Sequence, residues 1–162
     1  MIDSFRGTYD FLSNFYPCIV FYKGIKFYSV ENAFQAAKSQ DENTRLKISK
    51  MQAGEAKKYA KTIALREDWQ DIKKQVMYEL LLQKFYYSYD LAVKLEILTK
   101  GQEIKEGNWW HDNFWGDCKC PNCSGEIGYN VLGKLLMKIR DEDLDKLKLK
   151  KEEFKQLLKI TK

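Results

Sequence analysis

The spacing of apolar residues along the chain predicts a mostly helical protein. From Trp69 onward, apolar side chains recur every three or four residues as far as Phe85, which is the period of one helix face. The same spacing predicts a helix over 127–140. The residues of that helix that we expect in the core are Leu132, Leu135, Leu136 and Ile139.

Shorter helices are marked by capping residues and strong helix formers. Ser29 is suited to cap a helix that begins with VENAFQAAK, and Ser88 is suited to cap one that Gly101 ends. Two further short amphipathic helices are expected over 42–50 and 53–64.

Strand-like pattern is confined to short segments. Residues 19–27 predict a β-hairpin whose turn is Lys23-Gly24, and 102–108 could form a short strand. The segment FLSNFYPC, at 11–18, is predicted to be an ordered loop. We therefore expect an α+β fold, mostly α, with one domain over 1–140 and a charged, amphipathic helical extension over 141–162.

Composition narrows the class of protein. The 162 residues are 44% hydrophobic and 31% charged, which is typical of a folded globular chain, and the net charge of +5 permits nucleic acid or phosphorylated ligands. A basic start followed by an apolar run is missing, and so is any stretch of about 18 apolar residues. We expect a cytoplasmic protein without a membrane span, whose four cysteines stay reduced.

The first candidate for chemistry is a helix face. Glu31, Gln35 and Lys38 are four and three residues apart, so a helix places them on one side. A carboxylate, an amide and an amine there could bind and activate a polar substrate. On spacing alone, an ordinary solvent-exposed Glu–Lys face is the commoner explanation.

The second candidate is the cysteine-rich stretch GNWWHDNFWGDCKCPNCSG at 107–125. Cys118, Cys120 and Cys123 could bind zinc with His111 or Cys18 as the fourth ligand. They could instead be reduced thiols that pack a loop, and we favour that second interpretation. A cysteine nucleophile with His111 as its base is the least favoured alternative. No cofactor is expected, and structural zinc remains the alternative.

Four blocks in order carry a family resemblance: FLSNFYP, SVENAFQAAK, FWGD and GYNVLGKLLMKIR. Together they resemble the NADAR family, also called YbiA-like, over roughly residues 7–140. The resemblance implies a mostly helical α+β single domain. It also implies an N-glycosidase that acts on a ribosylated amine, either a phosphorylated intermediate of riboflavin synthesis or guanine that carries ADP-ribose.

The resemblance also implies roles for individual residues. Glu31 matches the catalytic carboxylate, Asp117 the acidic residue of W-G-D, and Lys38 a further motif position. Breaking a ribosyl C–N bond builds positive charge that a carboxylate can stabilise, whereas Lys38 could instead exchange with an opened sugar through a Schiff base. Direct hydrolysis and the Schiff-base route both stay open. The residues expected to bind substrate are Asn14, Phe15, Gln35, Trp110, Trp115, Gly116, Asn130 and Gly133.

Two other functions remain open. The same pocket could bind ADP-ribose or a nucleotide without catalysis, and the cysteines with the positive charge could belong to a small zinc-stabilised nucleic-acid-binding protein. The expected partner is a ribosylated nucleotide or nucleic acid, and no membrane is involved. The cysteines follow W-G-D directly, where some relatives have a glycine-rich linker, and the tail after Arg140 lies outside the matched blocks.

Overall fold

A computed structural model describes residues 1–147, and within it the chain forms two compact units. The N-terminal unit is Phe5–Tyr87. The C-terminal unit combines Met1–Ser4 with Ser88–Lys162. Most of the extension predicted at 141–162 lies outside the described residues.

The N-terminal unit begins with a 3-10 helix and the predicted hairpin. Strands β1 (Val20–Tyr22) and β2 (Ile25–Phe27) pair antiparallel, which confirms the small antiparallel element. Both turn residues, Lys23 and Gly24, have positive φ (49° and 77°), as a two-residue hairpin turn requires. The predicted loop at 11–18 is partly wrong, because its first two residues complete the 3-10 helix Gly7–Leu12.

Four helices complete the N-terminal unit, close to where the sequence predicts them. They are α1 (Val30–Ala37), α2 (Glu42–Ser49), α3 (Ala53–Tyr59) and α4 (Trp69–Tyr87). The Ser29 cap is confirmed, since its Oγ accepts from the Asn32 amide at 3.0 Å. Helix α3 stops short of residue 64 because its end tightens into i+3 turns, with the Thr62 amide bonded to the Tyr59 carbonyl at 2.9 Å.

Helix α1 is the centre of this unit. All eight of its residues are buried, and it packs against α2, α3, α4 and the hairpin. Its polar side chains must therefore find partners inside the protein. Asn32 does so by donating to the carbonyls of Ile48 (3.1 Å) and Met51 (2.8 Å), which joins α1 to the end of α2.

A fully buried lysine fastens the segment before the hairpin. Lys84 of α4 donates from Nζ to the carbonyl oxygens of Phe11 (2.6 Å) and Ser13 (2.9 Å). Burial lowers the pKa of Lys84 to about 8, although the charges of Cys18 and Asp10 oppose that shift. The ammonium thus holds in place the turn that leads to Asn14.

The C-terminal unit contains two helices and a minimal sheet. Helix α5 (Tyr89–Leu98) is capped by Ser88 as predicted, but it ends at Leu98, three residues before Gly101, where the chain turns with φ 69°. Strands β3 (Gly107–Asn108) and β4 (Asp117–Cys118) pair in parallel. Of the strand predicted at 102–108, only the last two residues belong to this pair, and Ile104 forms an isolated bridge with Ile2.

Helix α6 (Val131–Lys138) begins four residues later than predicted. Asn130 adopts a left-handed conformation (φ 50°, ψ 44°), which stops the helix from extending backwards, and Ile127 is 90% exposed. The helix then runs into a π-turn, Ile139–Asp143. Of the four predicted core residues, Leu135 is only partly buried and the other three are buried.

Hydropathy along the helices bears on the membrane prediction. Within residues 1–147, none of the helices is both long and apolar enough to cross a bilayer.

Candidate active site

Glu31 is a buried carboxylate in the first turn of α1. Its side chain is only 6% exposed, and its Oε1 accepts from Gln35 Nε2 at 2.8 Å. Its backbone amide donates to the Asn14 carbonyl at 3.0 Å, which ties the helix start to the preceding loop. The helix dipole favours the ionised carboxylate at this end. A solvent-exposed Glu–Lys face is therefore excluded for Glu31 and Gln35.

Lys38 directly follows α1 and is half-buried between aromatic rings. Its Nζ lies 5.8 Å from the centre of the Phe34 ring and 6.0 Å from that of Trp69. Burial lowers the pKa of Lys38, while the charge of Glu31 raises it. The pKa is lowered further by three other amines: Lys57, Lys61 and Lys73. The amine is thus closer to its neutral, nucleophilic form than a surface lysine is.

Two buried oxygens beside Glu31 accept no hydrogen bond from any residue that the structure describes. They are Oδ1 of Asn14 and Oε1 of Gln35. Each amide is otherwise engaged, since Asn14 Nδ2 lies 3.6 Å from Met77 Sδ and Gln35 Nε2 binds Glu31. Buried polar atoms usually have partners, so these two oxygens are suited to accept from hydroxyl or amino groups of a ligand.

Phe15 follows Asn14 and is 43% exposed. Its ring lies 5.7 Å from Lys57 Nζ, so a cation covers one side of it. The structure therefore brings together, within the N-terminal unit, five predicted site residues from the loop before the hairpin, from α1 and from the position that directly follows α1: Asn14, Phe15, Glu31, Gln35 and Lys38.

In the C-terminal unit, the aromatic loop (residues 109–115) is held from inside by Asn108. This side chain is fully buried, and its Oδ1 accepts from the amides of Trp110 and Asp112, both at 3.2 Å. Its Nδ2 donates to the Asp112 carbonyl at 2.7 Å. Nothing in the sequence distinguishes Asn108 from a turn residue, so sequence reasoning missed it.

Asp112 organises the second half of the aromatic loop. Its Oδ1 accepts from the amides of Phe114 (3.1 Å) and Trp115 (2.9 Å), as in a turn closed by a side chain. The rings of Phe114 and Trp115 meet edge to face at 4.8 Å, and Trp110 is 53% exposed. The loop thus presents large rings on a fixed backbone.

The W-G-D turn closes the aromatic loop. A Cβ at Gly116 would collide with the backbone and side chain of Glu106, so only glycine fits. The Asp117 amide donates to the Glu106 carbonyl, and Asp117 Oδ1 accepts from the Gly128 amide, both at 2.9 Å. The carboxylate of Asp117 is therefore oriented by a backbone bond.

Asn130 and Gly133 have contacts that support the fold of this unit. Asn130 is buried, its Oδ1 accepts from the Glu106 amide at 3.0 Å, and its Nδ2 donates to the Ile104 carbonyl at 2.8 Å. A Cβ on Gly133 would collide with that same carbonyl. A role of either residue in substrate binding stays a prediction.

The three clustered cysteines and His111 lie next to the W-G-D turn. Their four ligand atoms all lie within 4.8 Å of one another, and Cys118, Cys120 and Cys123 are buried as free thiols. Cys18, the other candidate for fourth ligand, belongs to the N-terminal unit. The structure therefore groups the thiols with His111.

The free thiols differ in acidity. Burial, together with the neighbouring thiols, raises the pKa of Cys123 to about 12. Burial acts in the same direction on Cys118, but hydrogen bonds from Cys120 and His111 outweigh it and the pKa of Cys118 is lowered. A thiol with such donors is suited to carry negative charge.

Comparison with known proteins gives the same family as the sequence blocks. Residues 4–143 match the family model of the NADAR domain. A riboflavin biosynthesis protein of Vibrio vulnificus is 34% identical over 139 residues, which is 83% of this chain but only 36% of the Vibrio protein. An N-glycosidase of Nostoc punctiforme is 32% identical over 141 residues, 83% of this chain and 85% of that relative.

A solved structure is also similar. The E. coli protein YbiA, whose structure was solved by NMR, is 30% identical to this chain in sequence. The two structures superpose with a TM-score of 0.73 over 94% of this chain and 88% of YbiA. The predicted YbiA-like, mostly helical α+β fold is thereby confirmed.

Proposed function

This chain belongs to the NADAR family, and from that premise we propose that it is an N-glycosidase that hydrolyses the N-ribosyl bond of a ribosylated amine. The observation that carries the proposal is the buried Glu31–Gln35 pair, together with two acceptor oxygens beside it that have no partner within residues 1–147. The substrate classes proposed are guanine that carries ADP-ribose, in a nucleotide or in nucleic acid, and phosphorylated ribosylaminopyrimidines.

The proposed reaction exchanges one bond at the sugar for another. The C–N bond to the amine breaks, a C–O bond to water forms, and a proton from water ends on the departing nitrogen. Positive charge builds on the ribose as the C–N bond weakens. Glu31 is suited to stabilise that charge or to accept the proton of the attacking water.

The unpartnered oxygens of Asn14 and Gln35 suit the sugar rather than the base. Ribose hydroxyls are donors, and each would satisfy a buried acceptor that otherwise has no partner among the described residues. Trp110 and Trp115 are proposed to stack on the base. Asp117 is proposed as the second carboxylate from its place in the W-G-D motif.

The deciding experiment is product analysis with both substrate classes, using wild type and Glu31→Gln. We expect free amine and ribosyl product from wild type, and a loss of about a hundredfold or more in turnover from the variant, which is the usual scale for a lost acid–base group. Glu42→Gln is the matched control, because Glu42 also lies in the first turn of a capped helix but is exposed.

Three outcomes would count against the proposal. Near-normal turnover in Glu31→Gln would remove Glu31 from the mechanism, and equal losses in Glu31→Gln and Glu42→Gln would point to a folding effect. Tight binding of ADP-ribose by wild type with no product from any ribosylated amine would make the chain a binding module.

A further inference from the structure

We propose that His111, Cys118, Cys120 and Cys123 bind one zinc ion, which fixes the aromatic loop and the W-G-D turn. This reverses the preference drawn from sequence, which favoured packing thiols. The sequence lacked a clear fourth ligand, and the structure supplies one: His111 Nδ1 lies 3.1 Å from Cys120 Sγ and 3.6 Å from Cys123 Sγ. The proposal is independent of the glycosidase activity.

The separations fit a tetrahedral ion. Zinc–sulfur bonds near 2.3 Å and zinc–nitrogen bonds near 2.1 Å place tetrahedral ligand atoms about 3.5–3.8 Å apart. The four ligand atoms all lie within 4.8 Å of one another, so a zinc ion needs only small side-chain adjustments to bind all four. Three thiolates and one imidazole are a common structural zinc set.

Backbone donors already surround the sulfurs. Cys118 Sγ accepts from the amides of His111 (3.3 Å) and Cys120 (3.4 Å), and such N–H···S bonds favour the thiolate that a metal requires. The 3-10 turn Pro121–Cys123 brings Cys123 back over Cys120, with the Cys123 amide bonded to the Cys120 carbonyl at 3.0 Å. The sequence between the last two cysteines thus forms a tight metal-binding turn.

The backbone conformation of His111 also supports its role as a zinc ligand. His111 has φ 66°, in the left-handed region, which is unfavourable for a residue other than glycine. This conformation directs its ring to the thiols although the residue itself is exposed. A metal–nitrogen bond would offset that cost.

The number of ligands makes the proposed zinc site structural rather than catalytic. Four protein ligands complete a tetrahedron, so no position remains for water or substrate. His111 lies inside the aromatic loop, and Cys118 directly follows Asp117. One ion would therefore fix both the loop and the carboxylate of the W-G-D turn.

The first test is metal analysis of untagged protein purified without chelator. We expect about one zinc per chain in wild type and in Cys18→Ser, the matched control whose thiol lies outside the cluster. The double variant Cys120→Ser/Cys123→Ser should lose most of its zinc, and His111→Ala should release zinc to a chelator faster than wild type.

The second test avoids variants that fail to fold. Wild type in which cobalt(II) replaces zinc should show the intense visible absorption of tetrahedral cobalt with thiolate ligands. Removal of metal by a chelator should shift the emission of the flanking Trp109 and Trp110, and added zinc should restore it. Wild type with no zinc and no tetrahedral cobalt spectrum, iron in place of zinc, or zinc retained in the double variant would each overturn the proposal.

Discussion

At the scale of the residue, Lys38 has a pKa that burial lowers, and this shift can be tested through the pH dependence of the reaction. If its neutral amine takes part in catalysis, the rate should rise with pH until its lowered pKa is passed, because the protonated amine is no nucleophile. We expect Lys38→Arg, which keeps a positive charge, to lose at least about tenfold in turnover and to lose that rise. The measurements are pH–rate profiles and borohydride trapping of the sugar on Lys38.

Lys61→Arg is the matched control, because Lys61 is an exposed lysine that contributes to the shift without lying between the rings. Full activity in Lys38→Arg, with no trapped adduct in wild type, would leave Lys38 only a charge or binding role.

Site residues that belong to a sequence motif could be predicted, whereas residues whose role depends on a tertiary contact could not. Glu31, Gln35 and Lys38 follow from helical spacing, but the sequence cannot show that Glu31 and Gln35 are buried, because burial depends on how α2, α3 and α4 pack on α1. Asn108 was missed because its role consists of bonds to residues of the aromatic loop, which sequence spacing does not encode.

At the scale of the element, two helix glycines should respond oppositely to alanine. Gly133 of α6 has the Ile104 carbonyl where a Cβ would be, so Gly133→Ala should lower the free energy of unfolding by about 1–3 kcal/mol. Gly54 of α3 is exposed with open space around it, so Gly54→Ala should raise the free energy of unfolding by up to about 1 kcal/mol. Urea unfolding of both variants measures this, and a stabilised Gly133→Ala would contradict the packing described.

Most elements were predicted from short-range signals, whereas the misplaced start of α6 has a long-range cause. The caps at Ser29 and Ser88 and the turn at Lys23-Gly24 are short-range signals, and all three are confirmed. The start of α6 was placed too early because the left-handed backbone of Asn130 depends on its bonds to the distant segment that contains Ile104 and Glu106. Long-range bonds of that kind leave no periodic pattern.

At the scale of the whole molecule, Lys84 should impose a pH dependence on stability. Its pKa is about 8 in the folded protein against 10.5 when unfolded, so the unfolded chain binds more protons between those values. The free energy of unfolding should therefore rise by on the order of 3 kcal/mol as pH increases through this window. This gain should disappear as pH falls through about 8, the pKa of Lys84 in the folded protein.

The matched comparison is Lys84→Met, with both proteins in a Cys18→Ser background. Cys18 must be removed because burial raises its pKa, which gives stability the opposite slope in the same range. Urea midpoints at several pH values supply the slopes. Parallel slopes with and without Lys84 would show that its ammonium is not desolvated as described.

The family was recognisable from sequence because its four blocks recur in order, and the family model spans residues 4–143. The fold selects His111 as the fourth zinc ligand, because the left-handed His111 directs its ring to thiols that are seven to twelve residues later in the chain. Ligand spacing alone did not distinguish His111 from Cys18.

The aromatic loop is held by main-chain amides bonded to Asn108 and Asp112, and this affects how related chains can diverge. Any residue except proline offers the same amide at position 110 or 115. Mutation can therefore replace Trp110 or Trp115 without changing the backbone conformation of the loop, provided that Asn108 and Asp112 remain. If these rings stack on the base as proposed, substrate preference can change between descendants of one ancestor at these positions without a new fold having to evolve.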